Sequence, residues 1–530
     1  MTQCPYSGGT PIARAEINAA AHAAAVEEGV AQPLPESNGS VAPSPPQQTL
    51  RPASEIPGPK PTPLLGWRGN ALRFFANPVA AMTRLKNEYG PLVRLTAGAN
   101  QPLFFESSMP GVATHFVFGA KATRELLGTQ GQFEVRCPPG PKADVYQRLA
   151  TNILFLNGQR HSQQKNLMRP WFTRNHLKRY YDDMVSATAQ MIGDWRGRET
   201  INIDDEMRLA TLVMSSKTLY GQEARRGEQQ LAGMMSDMIH MLFSPAAMIP
   251  VDLPGTPLRR LLTLMRQIDA ELWREIERKR EAGYSGLDIL SGMAKVHDET
   301  PEELTRDELI GEAFTLFFAG HDTAAKALTW TFFLLAQHPE VAAELHEELD
   351  RELGGDPPSF DQIFALPVLD RVIKEALRVL TPTIAFGRVA ATSTSILGYE
   401  IPEGSEVIYS PHILHKDPDV FEDPKRFDPN RWLTHKPGPY EYMPFGVGHR
   451  TCLGVSYGMT QLRLVVAMIL QAYRLDVIAG TRIDIKSAVV IGPKKPLDMR
   501  VTPQDRRFGD SPAPVTGFIH DMVDLPNASA

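Results

Sequence analysis

The sequence predicts a mainly α-helical protein with a smaller β region, on three observations. Apolar residues recur at helical spacing from about residue 145 to about residue 350. Short β-branched and aromatic runs are confined to the flanks of that stretch. A glycine-rich loop, Phe445-Gly446-Val447-Gly448-His449-Arg450-Thr451-Cys452-Leu453-Gly454, precedes a further helical run through Leu462, Val465, Val466, Ile469 and Leu470.

The chain has 530 residues, 42% of them hydrophobic, and a formal charge of -6. This is enough for one large domain, and so mild an acidity gives no reason to expect nucleic acid. Cys4, Cys137 and Cys452 are an odd set with no close pair. They suggest neither a disulfide framework nor a zinc cluster, which points to a reducing cytoplasm. No stretch approaches the roughly 20 apolar residues of a membrane span, and the N-terminus lacks a signal-like core, so no membrane anchor is expected.

Residues 1–54 are rich in Ala, Pro, Ser, Gln and Gly and read as a disordered tail. The alternating prolines of Ile56-Pro57-Gly58-Pro59-Lys60-Pro61-Thr62-Pro63 stiffen an extended lead into a domain expected to span residues 55–503. Leu92 to Thr96 and His115 to Phe118 read as strands, and Lys121 to Leu127 as a helix. Breaks fall at Pro170, at Pro245 and Pro250, and at Pro254-Gly255-Thr256-Pro257. Met234, Met235, Met238 and Met241 form a helical stripe that serves either as core filler or as the lining of an adaptable pocket. Strands are expected around Ile396 to Ile401 and Glu406 to Tyr409. Residues 504–530 form a C-terminal tail whose apolar Phe518-Ile519 either folds back or stays loose. No internal repeat is visible.

Two motifs carry chemistry. In the loop, glycines remove the side chains that would keep a thiolate from a large planar ligand. A helix N-terminus just after Cys452 would favour the ionised sulfur, and Arg450 offers a planar fork to an anion. In the second motif, Thr305-Arg306-Asp307-Glu308 reads as a capping box opening a long apolar helix that ends at Gln337-His338-Pro339. In mid-helix sits Ala319-Gly320-His321-Asp322-Thr323-Ala324. Glycine there costs about 1 kcal/mol relative to alanine, and threonine diverts backbone hydrogen bonds, so a merely structural helix would avoid the pair.

The complete pattern F-G-x-G-x-R-x-C-x-G resembles the haem-binding loop of the cytochrome P450 family. The resemblance runs over roughly residues 55 to 503, with the family's motifs in order. It implies the P450 fold, with haem b between the long central helix and the helix of the cysteine loop. It makes Cys452 the axial iron ligand, with Phe445, Gly446, Arg450 and Gly454 completing the loop's contacts with the cofactor. Ala-Gly-x-Asp-Thr implies a helix widened over the haem by Ala319 and Gly320. Thr323 would hydrogen-bond the reacting oxygen and Asp322 would feed protons through water. Ala324 departs from relatives that carry a second hydroxyl there.

Glu375-Ala376-Leu377-Arg378 resembles the family's E-x-x-R helix, and Phe427-Asp428-Pro429-Asn430-Arg431-Trp432 its partner, which makes Glu375, Arg378 and Arg431 a structural trio. By the same resemblance Arg388 and His161 would meet haem propionates. Lys165, where relatives have arginine, would offer only a point charge. Phe318, Ile384, Ala385, Phe386, Val490 and Ile491 would line the substrate pocket, together with Ala319.

The implied activity is O2-dependent hydroxylation or epoxidation of an apolar, lipid- or terpenoid-like small molecule. No FMN, FAD or iron-sulfur signature follows the loop, so electrons would come from a ferredoxin- or flavodoxin-type protein with its reductase. Lys165, Arg169, Arg174, Lys178 and Arg179 form either a solvated face or the patch that steers that partner. A peroxygenase or isomerase, and a non-enzymatic haem sensor, are the rival readings. Asp322 and Thr323 speak against the first of these.

Overall fold

The computed structural model describes residues 50–104, 111–129, 131–137, 143–221, 230–242, 251–487, 490–509 and 512–526. The tail before residue 50, Pro245 and Pro250 lie outside the described residues.

The organising element is the helix Arg306–Gln337, whose 32 residues span about 48 Å at 1.5 Å per residue. It starts where the sequence places it. Thr305 Oγ1 accepts from the Glu308 N–H, and the Glu308 carboxylate receives the Thr305 N–H. Apolar residues surround its C-terminal half, where Trp330, Phe332, Phe333 and Leu334 are all buried, and that half sits in the middle of the core. Helices Asp144–Ala150, Ile203–Tyr220, Pro367–Val379 and Val455–Ala472 pack around it. Helix Arg174–Asp194 closes the layer against Ile203–Tyr220 and Val455–Ala472.

The β region is small and divided among separate sheets. Its largest sheet has the order Leu92–Arg94, Thr114–Val117, Glu406–Tyr409, Phe386–Ala390, Phe133–Glu134. Thr114–Val117 and Glu406–Tyr409 pair in parallel, and the other neighbours are antiparallel. The run Ile396 to Ile401 is a hairpin rather than one strand. Leu397 at φ 51° and Gly398 at φ 78° form the two-residue turn that the twist of a hairpin favours. The Glu125 carboxylate takes the Leu397 N–H at 2.6 Å, which offsets part of the strain of a left-handed leucine.

Pro170 lies in a tight turn, Arg169–Phe172, joining Gly158–Met168 to Arg174–Asp194. Pro257 opens the helix Pro257–Glu281 behind its Thr256 cap, where a missing N–H costs nothing. Met235 and Met238 are fully buried in the core, and Met234 and Met241 pack against it.

The first and last described segments are tied to the domain. Arg51 pairs with Tyr399 and lays its guanidinium 3.6 Å from that ring centroid, so residues assigned to the tail by composition are bound. At the other end Ile519, Met522, Val523 and Leu525 are buried, so Phe518-Ile519 folds back onto the domain. No described helix is long and apolar enough to cross a membrane.

Candidate active site

The cysteine loop folds on its own backbone. The Gly446 N–H donates to Met443 O at 3.0 Å, Thr451 N–H to Gly448 O at 3.0 Å, and Cys452 N–H to Phe445 O at 2.9 Å. Gly446 and Gly448 hold φ of 73° and 70°, which a side chain would resist. Gly454 differs, since it caps Val455–Ala472 at φ -92° and an added Cβ would meet only Phe172 at 3.9 Å. Cys452 retains solvent access, yet protein surrounds its sulfur on most sides. Both facts describe a thiol at the bottom of a cleft. Burial pushes that thiol up, while the Gly454 N–H and the Lys165 ammonium favour the thiolate.

A group of cations lies beside the loop. His161 is buried and faces the edge of His449 at 6.0 Å. Arg388 is buried and bonds only neutral groups, the Tyr409 hydroxyl at 3.3 Å and Gly387 O at 2.9 Å. Lys165 and Arg450 are placed differently from the sequence expectation. Lys165 Nζ donates to His449 O and Thr451 O, each at 2.7 Å, and so clamps the loop on both sides of Arg450. Arg450 turns its fork to Ile153 O and Leu154 O at 3.2 Å, and to Leu156 O and Asn157 Oδ1. The physical reason is shared. Each cation lies beside backbone carbonyls that have no N–H partner, and multiple donors on one charged head satisfy several at once.

Among the described residues none of Lys165, Arg388 and Arg450 forms an ion pair. Burial, and after it the repulsion of neighbouring cations, holds Lys165 down at about 8, Arg450 at about 10 and His161 at about 3. Such a set lacks an anion. The two propionates of a haem fit it, and a thiol in a cleft fits the iron.

One face of the central helix, which packs against the helix that follows Cys452, is open. Ala319 is exposed and Phe318, Asp322 and Thr323 are partly so, although the helix runs through the core. The opposite face is closed. His321 is buried with Nδ1 2.9 Å from Phe317 O, and Phe317 stacks on Tyr220. Gly320 also turns that way. A Cβ there would stand 3.4 Å from Ser215 Oγ on helix Ile203–Tyr220, so this glycine lets two helices approach and does not face the cleft. The expected widening is absent as well. The α-helix is continuous, and Thr323 Oγ1 donates to Ala319 O at 2.7 Å. That bond commits the hydroxyl proton and leaves its lone pairs open. Asp322 has no hydrogen bond or ion pair among the described residues, which leaves its carboxylate to water.

The trio that supports the loop is in place. Glu375 and Arg378 are completely buried and pair at 2.8 Å, and Arg431 reaches the same carboxylate at 3.3 Å. Sequence reasoning missed two members. Trp432 Nε1 donates to Glu375 Oε2 at 3.0 Å, a residue adjacent to Arg431 in the quoted motif. His415 accepts the Met443 N–H on Nε2 at 2.9 Å and so carries its proton on Nδ1, 2.9 Å from Thr381 Oγ1. It ties the start of the cysteine loop to helix Pro367–Val379, and no local signal marks it.

Of the seven expected pocket residues, Ala319 is exposed, Phe318, Ala385 and Phe386 are partly exposed, and Phe386 stacks on Tyr409 at 5.5 Å. Ile384 and Val490 are buried, at 4% and 7% exposure. Ile491 belongs to the core. It has no exposure and its carbonyl receives Trp330 Nε1 at 3.1 Å, because its strand is pulled against the central helix. The basic patch is partly neutralised, since Asp361 pairs with Arg174 at 2.9 Å and Lys178 at 3.6 Å.

A recessed thiol at the start of a helix that packs against the central one, an open face on that central helix, and cations with no ion pair among the described residues fit a haem-thiolate protein. The sequence profile described as cytochrome P450 matches residues 56–499, and the chain belongs to that family. Cyclooctat-9-en-7-ol 5-monooxygenase of Streptomyces melanosporofaciens is 32% identical over 63% of this chain and 75% of its own length. Cyclooctatin synthase of the same organism is 30% identical over 78% and 89%. Pentalenene oxygenase of Streptomyces avermitilis is 30% identical over 60% and 72%. Among solved structures, the cytochrome P450DA heme domain superposes with a TM-score of 0.74 at 24% identity, covering 87% of this chain and all of that one. The protein is therefore a haem-dependent monooxygenase that uses O2, an apolar substrate and electrons from a redox partner. When bound, haem supplies the iron centre at which oxygen is reduced, and thiolate ligation favours O–O cleavage.

Proposed function

We propose that this monooxygenase hydroxylates or epoxidises a terpenoid-like molecule in the cytoplasm, with electrons from a ferredoxin- or flavodoxin-type protein and its reductase. The observation that carries the reading is the open face of the central helix, where Ala319 and Thr323 keep solvent access in mid-core beside partly exposed Phe318. Phe386 and Ala385 add further apolar surface. Relatives named cyclooctat-9-en-7-ol 5-monooxygenase, cyclooctatin synthase and pentalenene oxygenase support a cyclic hydrocarbon skeleton as the substrate class. The test is a screen of cyclic terpenes and terpene alcohols for a ligand-induced Soret shift, followed by recovery of oxygenated product from the hits. A library in which only fatty acids shift the band would overturn the substrate class.

In this reading Cys452 holds the iron, and His161 and Arg388 meet the propionates. Lys165 and Arg450 act mainly through the loop and turn that they clamp. Thr323 presents its hydroxyl lone pairs as an acceptor that positions a proton-bearing group on the open face, and Asp322 feeds protons through water to the reacting oxygen. Thr323→Ala should go on consuming NAD(P)H while product per reducing equivalent falls by at least about tenfold, a change of about 1.4 kcal/mol in branching. Peroxide should rise to match. Unchanged coupling would remove Thr323 from the relay.

Arg179 is exposed, and Arg174 and Lys178 retain exposure beside Asp361. An acidic partner docking there makes electron transfer depend on salt. Raising ionic strength from about 0.01 to 0.1 M shortens the screening length from about 30 to 10 Å, and the first electron transfer should slow several-fold. A rate independent of salt leaves the patch as a solvated face.

A further inference from the structure

We propose that residues 512–526 form a strap that keeps the cysteine loop in the geometry that holds the thiolate. The inference goes beyond the proposed reaction and rests on Cys452 as the iron ligand. The segment lies wholly past residue 499, where the match to the family profile ends.

The strap is anchored over its first half. Val515, Ile519, Met522 and Val523 are buried against the core. Its backbone pairs with the chain around Arg482. The Ile483 N–H donates to Thr516 O at 2.7 Å, Thr516 N–H to Thr481 O at 3.0 Å, and Ile519 N–H to Ile483 O at 3.1 Å. Gly517, at φ 105°, lies so close that a Cβ would meet Ile483 O at 2.6 Å. So close a fit defines one docked position.

From there the strap touches the two segments that Arg378 grips. Arg378 donates to Pro424 O at 2.7 Å, Arg426 O at 2.9 Å and His415 O at 2.9 Å. Asp524 N–H donates to Lys425 O at 3.1 Å, between the first two of those carbonyls. Met522 O receives Lys416 Nζ, one residue after the third. Lys416 Nζ also meets His412 Nε2 at 3.0 Å. The path then runs through His415 Nε2 to the Met443 N–H, and Met443 O takes the Gly446 N–H that starts the cysteine loop. Lys416 is a positioning residue on this path.

Because the segment is attached in the folded protein, its role is tested after folding. A protease site is placed at residues 510–511, the haem protein is purified intact, and half of it is cleaved. Both halves are incubated in mild urea, and release of the peptide is followed by mass spectrometry. The reduced carbon monoxide complex is expected to lose its red-shifted Soret band at least tenfold faster in the cleaved protein, ahead of any loss of helical circular dichroism. Added 512–530 peptide should slow that loss. Lys416→Met, which keeps the stem and removes the donor, should give a several-fold acceleration in the uncut chain. Equal rates with the peptide gone, or band and helix signals that fall together, would overturn the strap. An intact protein without the red-shifted band would instead overturn the ligand assignment, and the strap with it.

Discussion

Replacing Cys452 with serine abolishes the red-shifted Soret band of the reduced carbon monoxide complex, and monooxygenase turnover with it. A serine hydroxyl does not ionise near neutral pH and cannot replace a thiolate as electron donor to iron. The expected loss is complete, because the only other cysteines are Cys4 and Cys137. Cys137 sits 3.1 Å from the Tyr146 hydroxyl, its hydrogen-bond partner. The variant should still take up haem to a useful extent, since His161, Arg388 and the apolar walls are untouched. Persistence of the band in Cys452→Ser would refute the ligand assignment outright.

The second large effect is on stability. Arg378→Met, close in volume but without charge, leaves Glu375 buried with Arg431 at 3.3 Å, Trp432 and the Asp428 N–H as its remaining partners. It also strips donors from the His415, Pro424 and Arg426 carbonyls. Breaking a buried pair by removing one member costs about 3–5 kcal/mol, several times the value of an exposed pair. Urea unfolding should therefore show a loss of that order, with haem released early in the transition because the same contacts hold the segment leading to Met443. A loss below about 1 kcal/mol, the range of surface pairs, would show that the trio carries little of the scaffold's stability.

The trio was legible in sequence because its members fall in two compact motifs, Glu375 to Arg378 and Phe427 to Trp432. The capping box at Thr305 was legible for the same reason, since an N-cap and its N3 partner are three residues apart. His415 was not. Its partners Thr381 and Met443 are 34 and 28 residues away and meet only after the meander has packed. The cations show a subtler limit. Residue type predicts that Lys165 and Arg450 seek acceptors, yet which acceptors they find depends on the carbonyls that the folded turns leave open. Gly320 illustrates the same point, because its spacing marks a special position in the helix without saying which face it serves.

The sequence by itself determined the fold class, the glycine-rich cysteine loop, the long central helix with Asp322 and Thr323 in its middle, and the family. Each is encoded in residues near one another along the chain, where periodicity, capping and loop chemistry act locally. Only the tertiary structure decided which face of that helix is open, that Ile491 is core, that Asp361 tempers the basic patch, and that residues 512–526 bind back onto the segments around Arg482, Lys416 and Lys425. Those outcomes depend on contacts between segments tens to hundreds of residues apart. Their geometry is set by how whole helices and strands pack, and no local pattern carries it.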